Sequence, residues 1–129
     1  MTSERFGRRF LNALRGIVII YRHEPSFRIQ VAIMAVVVGL GFFLRVSRSE
    51  WIVLIFASIA VLILEMVNSV FERLSDAFRP RIHPIVADVK DIMAGSVLMV
   101  SLGAAIIGLV IFLPHLFLLF GWSFQGILP

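Results

Sequence analysis

Three stretches of this chain are apolar for long enough to cross a bilayer as helices: residues 27–44, 51–72 and 92–113, against the roughly 20 residues that a helical crossing takes. The first is the shortest. Pro114 interrupts the third, and the apolar tail over 114–129 either prolongs it or lies along the outer interface, with Trp122 as an anchor. Ahead of the spans, within residues 1–23, Phe6, Phe10, Ala13, Leu14, Ile17 and Tyr21 recur at helical spacing, while Arg5, Arg8, Asn12 and Arg15 take much of the opposite side. That pattern predicts an amphipathic helix lying on the membrane surface, either a plain anchor or a cover over a site there. Between the second and third spans, the polar loop 73–89 contains Arg79-Pro80-Arg81-Ile82-His83-Pro84. Each proline removes a donor and restricts the residue before it, so the helix leading into this loop must end near Phe78. No convincing repeat, low-complexity tract or long linker divides the chain, and 1–129 reads as one all-α membrane domain.

Composition agrees with the pattern. With 60% hydrophobic residues, 16% charged and a mean hydropathy of +1.00, the chain is too apolar for a soluble domain of 129 residues. Its cations set an orientation: Arg5, Arg8, Arg9, Arg15 and Arg22 precede the first span, Arg73, Arg79, Arg81 and Lys90 follow the second, and only Arg45 and Arg48 occupy the short first loop. The positive-inside rule therefore expects a cytoplasmic N-terminus and a C-terminus outside. The N-terminal arginines are expected to meet anionic lipid headgroups, and no nucleic-acid partner is expected. The N-terminal stretch lacks a compact apolar core followed by a small-residue cleavage site, so no signal peptide is expected and the mature chain should start at or near Met1. Without cysteine there is no disulfide framework and no thiolate metal site. Oxygen-loving cations such as Mg²⁺ become the natural metal partners.

Chemistry enters where the second apolar run turns polar. At about 100° per residue, Glu65, Asn68, Glu72 and Asp76 share one helix face. An acid that begins inside hydrocarbon is by default a functional hypothesis. Further acids gather at the same boundary: Glu24 before the first span, and Asp88 and Asp91 at the start of the third, where Lys90, the only lysine, stands ready to meet a phosphate. Two carboxylates from different helices, with phosphate oxygens and water, make a reasonable Mg²⁺ shell, so MgATP is the economical ligand. Glu65 lies seven residues from Glu72, about 10 Å deeper along a helix, where it can take a proton from a lipid hydroxyl. Phosphoryl transfer asks for little more than alignment, a metal and such a base.

Each residue also has a plainer reading. Glu65 suits a structural ion pair or a transporter's proton relay, Asn68 and Ser69 suit interhelical hydrogen bonding, and Glu72 and Asp76 suit solvated helix-end charges. Glu24 before Pro25 suits a cap on the first span, Lys90 and Asp91 a snorkelling interfacial pair, and His83 a surface loop. No Walker A sequence is present, and Gly39-Leu40-Gly41 inside a span is no phosphate loop.

Taken together, Glu65-x-x-Asn68-Ser69-x-x-Glu72-x-x-x-Asp76, a loop histidine, Lys90-Asp91-x-x-Ala94-Gly95, Ala13-Leu14-Arg15-Gly16 and Glu24-x-x-Phe27-Arg28 resemble the small prokaryotic diacylglycerol kinase and undecaprenol kinase family over roughly residues 10–113. The resemblance implies a homotrimeric helical bundle of the bacterial cytoplasmic (inner) membrane, with an N-terminal surface helix and three spans per chain. It implies a kinase that moves the γ-phosphoryl group of MgATP to a lipid alcohol. By that resemblance Glu65 is the catalytic base, Asn68 orients the site, and Glu24 and Glu72 hold Mg²⁺. Asp76, His83, Lys90 and Asp91 contact or support nucleotide, and Phe27, Arg28 and Gln30 border the lipid acceptor beside Glu65.

Val70 in place of the family's usual alanine, Pro25 after the glutamate, and Pro80 and Pro84 are departures bearing on local packing and the nucleotide-side loop. Phe71-Glu72, Val89-Lys90-Asp91 and Phe112-Leu113-Pro114 look more like the undecaprenol kinase branch, so undecaprenol is the preferred acceptor and diacylglycerol the second. A small proton-coupled transporter relaying through Glu65 is the competing reading; such a relay does not require the cluster of Glu72, Asp76, Lys90 and Asp91.

Overall fold

The computed structural model describes residues 3–77 and 84–121. Within them the backbone forms four helices, α1 (Ser3–His23), α2 (Pro25–Leu44), α3 (Arg48–Ala77) and α4 (Pro84–Leu119), and no strand. The last three are long and apolar enough to cross a bilayer. The fold is therefore the expected all-helical membrane type, a surface helix ahead of three spans.

A single extended residue separates α1 from α2. Glu24 stands at φ −110° and ψ 107°, with Pro25 in the first turn of α2. Proline keeps its predecessor out of helical geometry yet suits a first helical turn, where its missing N–H goes unnoticed. Glu24 makes no side-chain cap bond, so its carboxylate is available elsewhere. In α1 the residue that buries is Ile20, which the amphipathic stripe omits; Phe6 and Phe10 stay exposed. The stripe thus faces outward, as an apolar face meant for lipid does, and only the next turn meets protein.

α2 and α3 are joined by three residues. Arg45 adopts the left-handed conformation, its N–H bonding Phe42 O at 3.3 Å while Val46 N–H bonds Gly41 O at 3.2 Å. This paired closure satisfies the last carbonyls of α2. Ser47 then opens α3 through a capping box: Ser47 N–H donates to Glu50 Oε2 at 2.7 Å, and Glu50 N–H donates to Ser47 Oγ at 3.3 Å. Val46 and Leu44 bury against Leu54, Ile111 and Phe112, making the apolar core at this end of the bundle. Trp51 lies across Gly41 and meets Phe42 with ring centroids 4.9 Å apart.

α3 and α4 run antiparallel over most of their length, with Lys90 Nζ 3.5 Å from Asp76 Oδ1 at one end and His115 Nε2 3.7 Å from Glu50 Oε2 at the other. Helix claims residues that the sequence pattern assigns to the loop, because α3 reaches Ala77 and α4 begins at Pro84, another proline suited to a first turn. Pro114 does not interrupt the third span; it sits inside α4, which continues to Leu119. One missing donor inside a long apolar helix is tolerated, since the neighbouring turns keep their bonds. Trp122, and the segment with Pro80 and His83, lie outside the described residues.

The close approach at Gly41 is testable. A Cβ there would sit 2.6 Å from Trp51 Cη2 and 2.9 Å from Cζ2, whereas one at Gly39 meets nothing within 4 Å. Gly41→Ala is expected to lose about 1–3 kcal/mol through overpacking, and Gly39→Ala to lose none. Thermal unfolding of the two variants in detergent checks this.

Candidate active site

The α3 positions Leu54, Ser58, Val61, Glu65, Asn68 and Glu72 follow alternating steps of four and three residues, a single seam facing the other helices. Its membrane half is apolar, with Leu54 and Val61 buried; its other half is polar, with Glu65 6% and Asn68 8% exposed. Ser69, at 1% the most buried side chain described, donates its hydroxyl to Glu65 O at 3.0 Å. A small residue that satisfies its own oxygen one turn back lets the backbone around Glu65 pack closely.

Around the Glu65 carboxyl group the helices converge. Ser26, in the first turn of α2, and the acids Glu24 and Glu72 are its polar neighbours. Asn68 Nδ2 donates to Glu72 Oε1 at 3.2 Å. Arg73 Nη2 reaches across to Glu24 Oε1 at 3.3 Å, tying the α1–α2 break to α3. Carboxylates from two parts of the chain, Glu24 and Glu72, thus bear electrostatically on Glu65 within one protomer. Among the described residues no three His, Cys, Asp or Glu groups close a protein cage around a metal. Two flanking carboxylates still fit Mg²⁺, which keeps waters and takes substrate oxygens for the rest.

Other residues marked in the sequence take varied places. Asp76 and Lys90 pair at the polar end of the hairpin, so the lysine's partner is the acid across the hairpin, while Asp91 beside it is exposed. Phe27 is 3% exposed and packed inside. Arg28 turns back to donate to Arg22 O at 3.3 Å, and Gln30 lines a cavity between α2, α3 and α4. His83 lies outside the described residues. Sequence reasoning overlooked Ser26 and Arg73. A hydroxyl two residues beyond Glu24 was a usable signal for the first; the second needed the fold, since forty-nine residues separate Arg73 from Glu24.

The profile of the prokaryotic diacylglycerol kinases matches residues 11–112, nearly the whole of this architecture. The chain belongs to the prokaryotic diacylglycerol kinase family. Similar relatives include the undecaprenol kinase of Bacillus subtilis, 34% identical over 112 residues, covering 87% of this chain and 91% of the relative. The diacylglycerol kinase of Pseudomonas aeruginosa is 34% identical over 88 residues, covering 65% of this chain and 72% of its own. That of Haemophilus influenzae is 28% identical over 85 residues, covering 66% and 72%. This member of the family is thus a membrane lipid kinase, and the proton-coupled transporter reading gives way to it.

In this kinase the Asn68 amide is the neutral donor that holds Glu72. Asn68→Leu is expected to cost about 1.5–3 kcal/mol at that charged hydrogen bond, or roughly tenfold or more in kcat/KM. Steady-state kinetics alongside an unchanged helical circular dichroism spectrum checks it.

Proposed function

We propose that this kinase transfers the γ-phosphoryl group of MgATP to a lipid alcohol, undecaprenol in preference to diacylglycerol. The observation that carries the reading is the meeting of Glu24, Glu65 and Glu72 at the polar end of an otherwise apolar seam. Such a junction suits a reaction between one substrate from water and another from lipid.

Glu65 takes the proton of the acceptor hydroxyl as its oxygen attacks the γ-phosphorus; the phosphorus–oxygen bond to ADP breaks, and the proton later leaves to water. Glu24 and Glu72 would hold Mg²⁺, which supplies charge neutralisation on the phosphates when bound. Arg73 keeps Glu24 turned toward α3, and Asn68 keeps Glu72 in place. Lys90 and Asp76, partly exposed at the watery end, with Asp91 and His83, contact the nucleotide; phosphate oxygens would compete with Asp76 for the ammonium group. Phe27, Arg28 and Gln30 border the acceptor.

Undecaprenol is favoured because the relative named for it aligns with 87% of this chain, against 65% and 66% for the two named diacylglycerol kinases. The active ends of α3 and α4 and the basic α1 face the cytoplasm in this reading, the C-terminus lies outside, and the enzyme works in the bacterial inner membrane as a homotrimer.

Purified protein in bilayers, given γ-labelled ATP and matched fractions of the two lipids, tests the acceptor. Undecaprenol is expected to show the higher kcat/KM; the reverse order would assign diacylglycerol, and no labelled lipid at all would sink the reading. Chelating Mg²⁺ should abolish transfer. Glu65→Gln should lower kcat by about 100-fold or more, with little change in the KM for MgATP.

A further inference from the structure

The serines of the spanning helices are not alike. Ser58, Ser69 and Ser96 each return the hydroxyl to the carbonyl one turn back, on Leu54, Glu65 and Ile92, at 2.8, 3.0 and 2.9 Å. Within an apolar helix that is the ordinary resting state. Ser101 departs from it: its Oγ is buried and has no hydrogen-bond partner among the described residues. A buried hydroxyl left unpaired is a net cost, and a second molecule that supplies a partner removes it.

Ser101 lines a cavity of about 560 Å³ between α2, α3 and α4 whose walls are otherwise almost wholly aliphatic and aromatic. Its depth follows from the hairpin register. Eleven residues separate Lys90 from Ser101, and eleven separate Asp76, the partner of Lys90, from Glu65. The pair Glu50–His115 at the far end keeps that register to within one residue. Ser101 therefore stands at the level of Glu65. On α2, Gln30 lies one turn deeper than Ser26, as Val61 on α3 lies one turn deeper than Glu65, and both line the cavity.

The cavity thus begins beside the catalytic level with Ser101 and Gln30, and the further hydroxyl on its wall, Ser58, is already bonded to Leu54 O. From there it runs past Leu54 and Phe112 to Leu116, about 22 Å along α4 at 1.5 Å per residue. One polar end and a long apolar body describe the lipid alcohol itself.

We propose that Ser101 binds the acceptor: its hydroxyl donates to one lone pair of the lipid hydroxyl oxygen, and the hydrocarbon chain fills the cavity toward Leu116. The acceptor's own proton is then left for Glu65, and a second lone pair faces the phosphorus. This rests on the reading of Glu65 as the base. The test separates the two by measuring binding where chemistry is switched off.

Radiolabelled undecaprenol is titrated without nucleotide into Glu65→Gln protein, alone and combined with Ser101→Ala, Ser101→Thr or Gly108→Leu. Gly108 lines the cavity, and a Cβ there meets nothing within 4 Å, so leucine grows into open space. Ser101→Ala is expected to weaken binding about three- to tenfold, the worth of one hydrogen bond to a buried neutral group. Ser101→Thr, which keeps the hydroxyl, should restore it, and Gly108→Leu should weaken binding by about tenfold, having displaced several methylenes. With Glu65 restored, the KM for the lipid should rise in the alanine and leucine variants while that for MgATP stays put, a split that a general loss of packing would not give. Unchanged lipid binding in both Ser101→Ala and Gly108→Leu overturns the proposal. So does a change of particle mass in Gly108→Leu by light scattering, which would assign the cavity to a second copy of the chain. Turnover in Glu65→Gln close to that of the unmodified protein, by contrast, would sink the base assignment and leave the binding result standing.

Discussion

Like charges held close together at the edge of hydrocarbon are the constraint from which the rest of this molecule follows. Glu24 and Glu72 both bear on Glu65, which is also withdrawn from water. An arrangement of that kind persists only if the surroundings supply donors and cations. Among the described residues Arg73 supplies part, through Glu24, and the Asn68 amide supplies more, through Glu72.

Holding those acids in place is a matter of backbone punctuation. Proline at the start of α2 forces Glu24 out of the helix and leaves its side chain pointing away from any cap. At the opposite end, a left-handed arginine and a serine–glutamate box fold α3 back on α2 within three residues, so a slip between the two helices would break both motifs. Two polar contacts at the extremities of α3 and α4 do the same for the long hairpin. Precision at mid-membrane, where only apolar packing is available, is inherited from polar contacts at the ends.

Much of this was legible beforehand. The three spans, the surface helix and the face shared by Glu65, Asn68 and Glu72 follow from periodicity, because lipid imposes strict rules on length and polarity. Less legible were the helix limits near water. Residues 84–89 follow Pro80 and open on a second proline, which made them read as loop, yet Pro84 is a good first residue and α4 takes them. Pro114 left the tail with two courses, prolonging the span or turning along the interface, because proline often stops helices in water; within the described residues the helix is prolonged to Leu119. Arg73 and Ser26 became visible only through tertiary contact, as did the burial of Ile20 in place of the stripe around it. Ser101 carried no signal at all: one hydroxyl in a greasy helix is commonplace, and its distinction lies in a bond it does not make.

At 36 residues, α4 is about 54 Å long, far more than the roughly 30 Å of hydrocarbon it has to cross. The surplus at its beginning holds Asp88, Lys90 and Asp91 on unbroken helix. Lys90, the partner of Asp76, is therefore mounted on the same stiff rod as the groups deep in the fat, in place of a swinging loop. A rod transmits rotation and translation undiminished. Whatever tilts α4 within a thicker or thinner bilayer must also move Lys90, which makes the thickness of the host membrane a mechanical input to the Asp76–Lys90 contact at the polar end.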